Sequence, residues 1–120
     1  MAFMFKDLRV YQKSIELYDN LSELTKDLPK GTYHISDQLN RAALSISLNI
    51  AEGNGRYHKK DRTQFFKISR GSVFECVAVL DVCLVKKYIE KEKYDRFVSD
   101  LDVVARMLTK LAYPVNPASV

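Results

Sequence analysis

Residues that break helices are scarce in this chain. Only four glycines and three prolines occur among its 120 residues, whereas a β-rich domain needs many turn residues between its strands. This scarcity therefore favours helices. A chain of 120 residues indicates one domain, and such a domain can build a hydrophobic core without disulfide bonds or a structural metal.

Cysteine and histidine are also rare, with two of each. Cys76 and Cys83 lie seven residues apart, so on one helix their Cα atoms would be ~10.5 Å apart along the axis. That separation is too great for a disulfide bond. No Cys/His spacing typical of zinc is present. We therefore expect two buried thiols in a reducing cytoplasm, with no metal and no cofactor.

The sequence has no long apolar run and no strong excess of charge. No stretch approaches the ~20 apolar residues that span a bilayer, and residues 1–6 are too short and too soon charged for a signal peptide. We therefore expect no membrane partner. The net charge of +4 permits contact with nucleic acid but does not require it.

Apolar residues at steps of three and four predict four helices. The first is expected over residues 8–28, and the second from a start between 32 and 36 to about 52. The third is expected after the loop at 56–60, to about residue 87, and the fourth after residue 91, with an apolar face over 94–111. Because the connections between them are short, neighbouring helices must run antiparallel. The predicted fold is all-α, an antiparallel up-down-up-down four-helix bundle over residues 1–113. Two prolines, Pro114 and Pro117, predict that residues 114–120 form a flexible C-terminal tail.

Several residues near the predicted helix ends are of types that cap or stop helices. Asp7 is expected to cap the first helix. Gly53 or Gly55 is expected to supply the positive-φ residue that closes the second helix. Asp61 and Gln64 fit a capping box at the start of the third helix.

The four helices differ in how many apolar faces they carry. The first and fourth have one face each, made by Leu8, Tyr11, Ile15, Tyr18, Leu21, Leu24 and Leu28, and by Tyr94, Phe97, Val98, Leu101, Val104, Leu108 and Leu111. The second and third each have a main face, made by Ile35, Leu39, Ala42, Ala43, Ile46 and Ile50, and by Phe66, Val73, Val77, Leu80 and Leu84, with both cysteines at its edge.

A second apolar face occurs on each of the two middle helices. It carries Leu44, Leu48 and Ala51 on the second helix, and Ile68, Val79 and Val82 on the third, with Glu75 among them. A monomer would expose these faces to water, as at an interaction surface. We therefore expect a homo-oligomer in which they pack between subunits. The alternative is a splayed bundle that buries both faces internally.

Polar residues beside the apolar faces are candidates for a structural network. These are Arg41, Asn49, Glu52, Arg70 and Glu75. Buried and paired, such groups would enforce one arrangement of subunits, and Glu52 can pair with Arg56 four residues on. Together with Leu44, Leu48 and Gly53 they form the predicted structural and interface set.

A catalytic interpretation of the same carboxylates has little support. No nucleophile, metal ligand or phosphate loop accompanies them. The fragment 53–55 lacks the preceding strand and the third glycine of a dinucleotide-binding loop. We therefore expect no catalytic residue and no enzymatic activity.

A basic cluster follows the second helix. It consists of Arg56, His58, Lys59, Lys60, Arg62 and Lys67, with Tyr57 among them, and residues 56–60 are expected to form a loop. Such groups neutralise phosphates, and tyrosine stacks on bases. In a cyclic oligomer the cluster would repeat around one rim and multiply weak contacts. The alternative is an ordinary solvated loop.

Three segments resemble a known family. They are the run from Arg41 to Gly53, the opening from Phe5 to Ser14 and the segment from Phe65 to Cys76. Together they resemble the small four-helix-bundle proteins encoded in intervening sequences of bacterial 23S ribosomal RNA genes. That family includes the accessory protein of diversity-generating retroelements. The chain departs from the pattern at Tyr11, where tryptophan is common, and at Ser47, where proline is common.

The resemblance implies a four-helix bundle and a ring-shaped homopentamer. For the retroelement branch it also implies nucleic-acid binding and partnership with a reverse transcriptase. For the ribosomal branch it implies no established activity, and the sequence does not choose between the branches. Two hypotheses therefore lead: a non-enzymatic homo-oligomer that binds RNA or DNA electrostatically, and a purely structural or protein-interaction module. An enzyme using Glu52 or Glu75 ranks last.

Overall fold

The hydrophobic core lies along the axis of a bundle in which each helix contributes one buried face. The computed structural model describes residues 3–114. A short 3₁₀ turn at Met4–Asp7 precedes four helices, α1 Arg9–Lys26, α2 Tyr33–Asn54, α3 Lys59–Val85 and α4 Lys91–Ala112. Each helix packs against the next, and α1 closes the bundle against α4 along a smaller contact. The predicted all-α four-helix bundle is confirmed, while residues 115–120 of the predicted tail lie outside the described residues.

The buried residues follow the predicted spacing in three of the four helices. Leu39, Ile46 and Ile50 of α2, Val73 and Leu80 of α3, and Leu101 and Leu108 of α4 are almost fully buried. Cys76 and Cys83 are fully buried, as expected for these thiols, although they lie within the core and not at the edge of a face.

The buried face of α1 agrees with the predicted one except at Ile15, which is 45% exposed. The predicted Leu21 and Leu24 are buried, and Val10, Ser14 and Leu17 are buried beside them. The remaining predicted residues pack partly buried against the core: Leu8, Tyr11, Tyr18 and Leu28. Periodicity alone could not exclude Ile15, because it also has helical spacing. Ser14 lies against α2, where the Ser47 hydroxyl donates to the Ser14 hydroxyl at 2.9 Å.

The predicted caps of α1 and α3 are wrong. Leu8 occupies the N-cap position of α1, and Asp7 belongs to the preceding turn. Helix α3 begins at Lys59, with His58 at its N-cap and no side-chain capping bond, so Asp61 and Gln64 do not form a capping box. The residues of the first turn of α3 are exposed, so water can satisfy their backbone donors.

The predicted positive-φ glycine at the end of α2 is also wrong. Gly53 lies inside α2 and is buried, and Gly55 has a φ of −79°. The glycine with positive φ is Gly31, at 87°, in the connection between α1 and α2, and Lys87 adopts a φ of 62° after α3. Close packing between α2 and α3 instead explains the glycine at position 53. A Cβ there would lie 2.9 Å from the Phe65 Cβ.

Candidate nucleic-acid interface

The antiparallel arrangement gathers positive charge at one end of the bundle. The start of α1, the end of α2, the start of α3 and the end of α4 meet there. We call this half, residues 3–17, 44–72 and 102–114, the basic end. It carries eleven cationic side chains against five carboxylates, whereas residues 18–43 and 73–101 carry eight against ten. The net charge of +4 therefore conceals a strongly basic half and a slightly acidic half.

The cations of the basic end come from all four helices and their connections. They are Lys6, Arg9, Lys13, Arg56, Lys59, Lys60, Arg62, Lys67, Arg70, Arg106 and Lys110. Sequence reasoning located the cluster between residues 56 and 67 but missed the contribution of α1 and α4. Those cations are distant in the sequence, and only the antiparallel topology brings them to the same end.

The six predicted basic residues are all exposed at this end. The expected loop over residues 56–60 is shorter than predicted, because α3 begins at Lys59. Arg56 and His58 lie in the connection, and Lys59, Lys60 and Arg62 lie in the first turn of α3. Within residues 3–114, these three helical cations form no ion pair with a carboxylate, so their charge is available to a ligand.

Other cations of the basic end are held by contacts within the chain. Arg56 pairs with Glu52 at 2.9 Å, as predicted, and its guanidinium lies 4.7 Å from the centre of the Phe65 ring. The Lys67 ammonium lies 4.9 Å from the centre of the Tyr113 ring, which places the end of α4 beside α3.

A tyrosine projects from the middle of this surface. Tyr57 is 94% exposed, and its one aromatic neighbour in the described part of the chain is His58, in an edge-to-face contact at 5.3 Å. The Tyr57 side chain is therefore almost entirely open to solvent. The connection that carries it is fixed by its backbone, since the Gly55 and Arg56 N–H groups donate to the carbonyls of Ala51 and Gly53.

The second apolar faces of α2 and α3 lie on the outside of the bundle. We call the exposed residues Leu44, Leu48, Ile68 and Val82 the outer face. Ala51 and Val79 lie beside them and are half-buried. The expectation that these faces stay uncovered within one chain is met at the four residues of the outer face, whereas Val79 packs partly against the core. The outer face has the character of an interaction surface.

The predicted polar network does not form within one chain. Glu75 is exposed and accepts a bond from the Gln38 amide at 2.9 Å. Asn49 donates to the Ser45 carbonyl of its own helix at 2.8 Å. Arg70 donates from Nε to the Thr109 hydroxyl at 2.9 Å, and Arg41 lies 3.9 Å from Asp37. These are separate contacts, and a role for them between subunits stays a prediction.

The described residues offer few groups for metal binding or nucleophilic chemistry. Residues 3–114 contain no cluster of three or more His, Cys, Asp or Glu side chains suited to a metal ion. Burial raises the pKa of the Cys76 thiol to about 12, and it raises the pKa of Cys83 as well. Neither thiol is therefore an activated nucleophile. In the described part of the chain, no helix combines the length and hydropathy of a membrane span.

The sequence and the fold both match known proteins. A family model described as the 23S rRNA-intervening sequence protein matches residues 6–110. The structure is similar to the crystal structure of a protein with unknown function from the S23 ribosomal protein family of Bacteroides thetaiotaomicron. The two share 24% sequence identity with a TM-score of 0.81, over 87% of this chain and 98% of the other. At this identity the likeness shows the fold. A search of curated proteins finds no match.

Proposed function

Because the chain belongs to the 23S rRNA-intervening sequence protein family, whose model matches residues 6–110, we propose a function for this bundle that rests on its surfaces. It is a non-enzymatic, self-associating protein that binds RNA or DNA through the basic end. The family match supports the assignment of the chain to this family, and the charge distribution supports RNA or DNA as the ligand.

The separation of charge between the two halves of the bundle carries this proposal. The basic end carries eleven cations and five carboxylates. Lys59, Lys60 and Arg62 are exposed there without carboxylate partners in residues 3–114. Nucleic acids bind such surfaces because phosphates that contact Lys and Arg release their condensed counterions. The opposite half lacks a positive excess, so it offers no comparable surface.

Self-association through the outer face is the second part of the proposal. Leu44, Leu48, Ile68 and Val82 are exposed on adjacent helices, and burying them against another copy would remove apolar area from water. Repeating the basic end in an oligomer multiplies contacts that are weak in one chain. The resemblance of the sequence implies five copies, and that number is the one we propose.

A second candidate function is a protein-interaction module that does not bind nucleic acid. A groove of about 380 Å³ between α3 and α4 supports it. Apolar side chains that include Phe74, Ala78 and Val98 line the groove, and Asp81 and Asp102 also border it. Such a groove suits an apolar segment of a partner with nearby basic residues.

Salt dependence separates the two candidates. Fluorescence anisotropy of labelled RNA and DNA, titrated with the protein between about 50 and 200 mM salt, measures the electrostatic share of binding. The proposal predicts binding at low salt and a linear fall of the logarithm of the association constant with the logarithm of salt concentration. Absence of binding at the lowest salt would overturn nucleic-acid binding and leave the interaction module.

A further inference from the structure

We propose that the basic end selects nucleic acid with unpaired bases, and that Tyr57 is the platform on which one such base stacks. This inference rests on the proposed function, because it names the class of nucleic acid that the same surface binds. It is carried by an exposed aromatic side chain on a fixed connection among cations.

The position of Tyr57 has no structural explanation in the bundle. At 94% exposed it is the most exposed large hydrophobic side chain of residues 3–114, so it adds almost nothing to the core. It stands between Arg56 and His58, and Lys59 and Lys60 follow His58. An aromatic ring that stays in water among cations is the arrangement that binds a base and its phosphates together.

The backbone around Tyr57 is held on both sides. The Gly55 N–H donates to the Ala51 carbonyl at 3.2 Å, and the Arg56 N–H donates to the Gly53 carbonyl at 3.1 Å. After the tyrosine, the His58 carbonyl accepts from the Arg62 N–H at 3.0 Å. The ring therefore projects from a short segment whose ends are fixed, which lowers the entropy lost when a ligand binds.

Stacking on Tyr57 requires a base whose face is free. In a duplex the faces of the bases are covered by their neighbours, whereas unpaired bases can turn outward onto an aromatic side chain. Cations contact the phosphates of duplexes and single strands alike. Tyr57 is thus the residue of the basic end that can distinguish a single strand from a duplex.

Two other tyrosines show why the stacking role falls on Tyr57. Tyr113 lies at the basic end, but the Lys67 ammonium occupies the space 4.9 Å from its ring centre. Tyr33 is 79% exposed but starts α2 at the opposite end of the bundle, away from the cluster. Tyr33 therefore serves as a matched control with a similar exposed ring.

The test compares three labelled probes of equal strand length. They are an oligothymidylate, an abasic oligomer with the same number of phosphates, and a blunt DNA duplex. We expect the wild-type protein to bind oligothymidylate more tightly than the abasic oligomer. Tyr57→Ala should weaken binding of oligothymidylate about fivefold or more and leave binding of the abasic oligomer unchanged. Tyr57→Phe keeps the ring face and should retain wild-type affinity, as should Tyr33→Ala.

The outcomes distinguish this inference from the function it rests on. Equal affinity of the wild-type protein for oligothymidylate and the abasic oligomer would overturn the stacking role and leave electrostatic binding intact. An equal effect of Tyr57→Ala on the affinity for oligothymidylate and for the abasic oligomer would also overturn the stacking role and leave electrostatic binding intact. Failure of all three probes to bind at low salt would overturn the proposed function, and this inference with it. Circular dichroism of each variant checks that the helices are retained.

Discussion

Gly53 of α2 lies against Phe65 of α3 so closely that a Cβ at position 53 would come within 2.9 Å of the Phe65 Cβ. The same Cβ would lie 3.0 Å from the Phe66 ring and 3.1 Å from the Arg62 carbonyl oxygen. Backbone and packed rings surround the position, so the clash cannot be relieved by a flexible side chain. This close approach joins α2 to α3 immediately beside the connection that carries Arg56, Tyr57 and His58.

Replacing Gly53 with alanine should therefore destabilise the protein, despite the better helix propensity of alanine. We expect a loss of about 1–3 kcal/mol in the free energy of unfolding, as for overpacking elsewhere. Gly71→Ala is the matched control, because a Cβ at Gly71, also within a helix, meets nothing within 4 Å. That variant should gain up to about 1 kcal/mol. Urea unfolding measures both, and equal shifts in the same direction would contradict the close-packing account.

The folded-state burial of Cys76 gives a second prediction. Burial raises the pKa of this thiol to about 12, against about 8.5 for an unperturbed cysteine. In the native protein at pH 8, Ellman's reagent should therefore modify neither buried thiol, and both should react after denaturation. Rapid modification of the native protein, without unfolding, would show that the thiols are accessible.

The same pKa shift sets a pH dependence. A thiol whose pKa is higher in the folded state contributes stability that is full below about pH 8.5 and is lost as the pH rises toward 12. The stability advantage of the wild type over Cys76→Ala should therefore shrink above pH 8.5, by at most about 1.4 kcal/mol per pH unit. Urea unfolding of both proteins at several pH values measures this difference. A constant difference would contradict the shift.

Self-association through the outer face gives a fourth prediction. Leu48 is 58% exposed in one chain, and Leu48→Asp should place a charge in the subunit contact and yield the single-chain mass of 13.8 kDa. Ile15→Asp is the control, since Ile15 is 45% exposed but lies on α1, outside the outer face. Light scattering after gel filtration reports the mass. A wild-type protein that is monomeric at micromolar concentration would refute assembly through this face.

The sequence was sufficient to predict the four helices and most of their buried faces. The spacing of Leu39, Ile46 and Ile50, or of Leu101 and Leu108, is a local property that survives in any packing arrangement. The same reasoning located the exposed second faces of α2 and α3, because a helix with two apolar sides cannot bury both in a simple bundle.

The helix ends and the full extent of the basic end could not be predicted in the same way. The capping roles expected for Asp7 and Asp61 were wrong, since a suitable residue type does not fix the position at which a helix starts. The sequence suggested a helix stop at Gly53. Its contact with Phe65 could not be predicted, because that contact depends on how two helices cross. Cations such as Lys6 and Lys110 join the cluster only through the antiparallel topology.

We propose that nucleic acid binds through the local charge of the basic end and not through the net charge of the whole protein. Two triple variants, each removing three exposed cations, test it directly: Lys59, Lys60 and Arg62 to alanine at the basic end, and Lys26, Lys30 and Lys86 to alanine in the other half. The measurement is the salt dependence of oligonucleotide affinity by anisotropy. We expect the first triple variant to weaken binding about tenfold or more at low salt and to reduce the slope of log affinity against log salt by about 2. The second should leave this slope unchanged. Equal losses of affinity and slope in the two triple variants would contradict it.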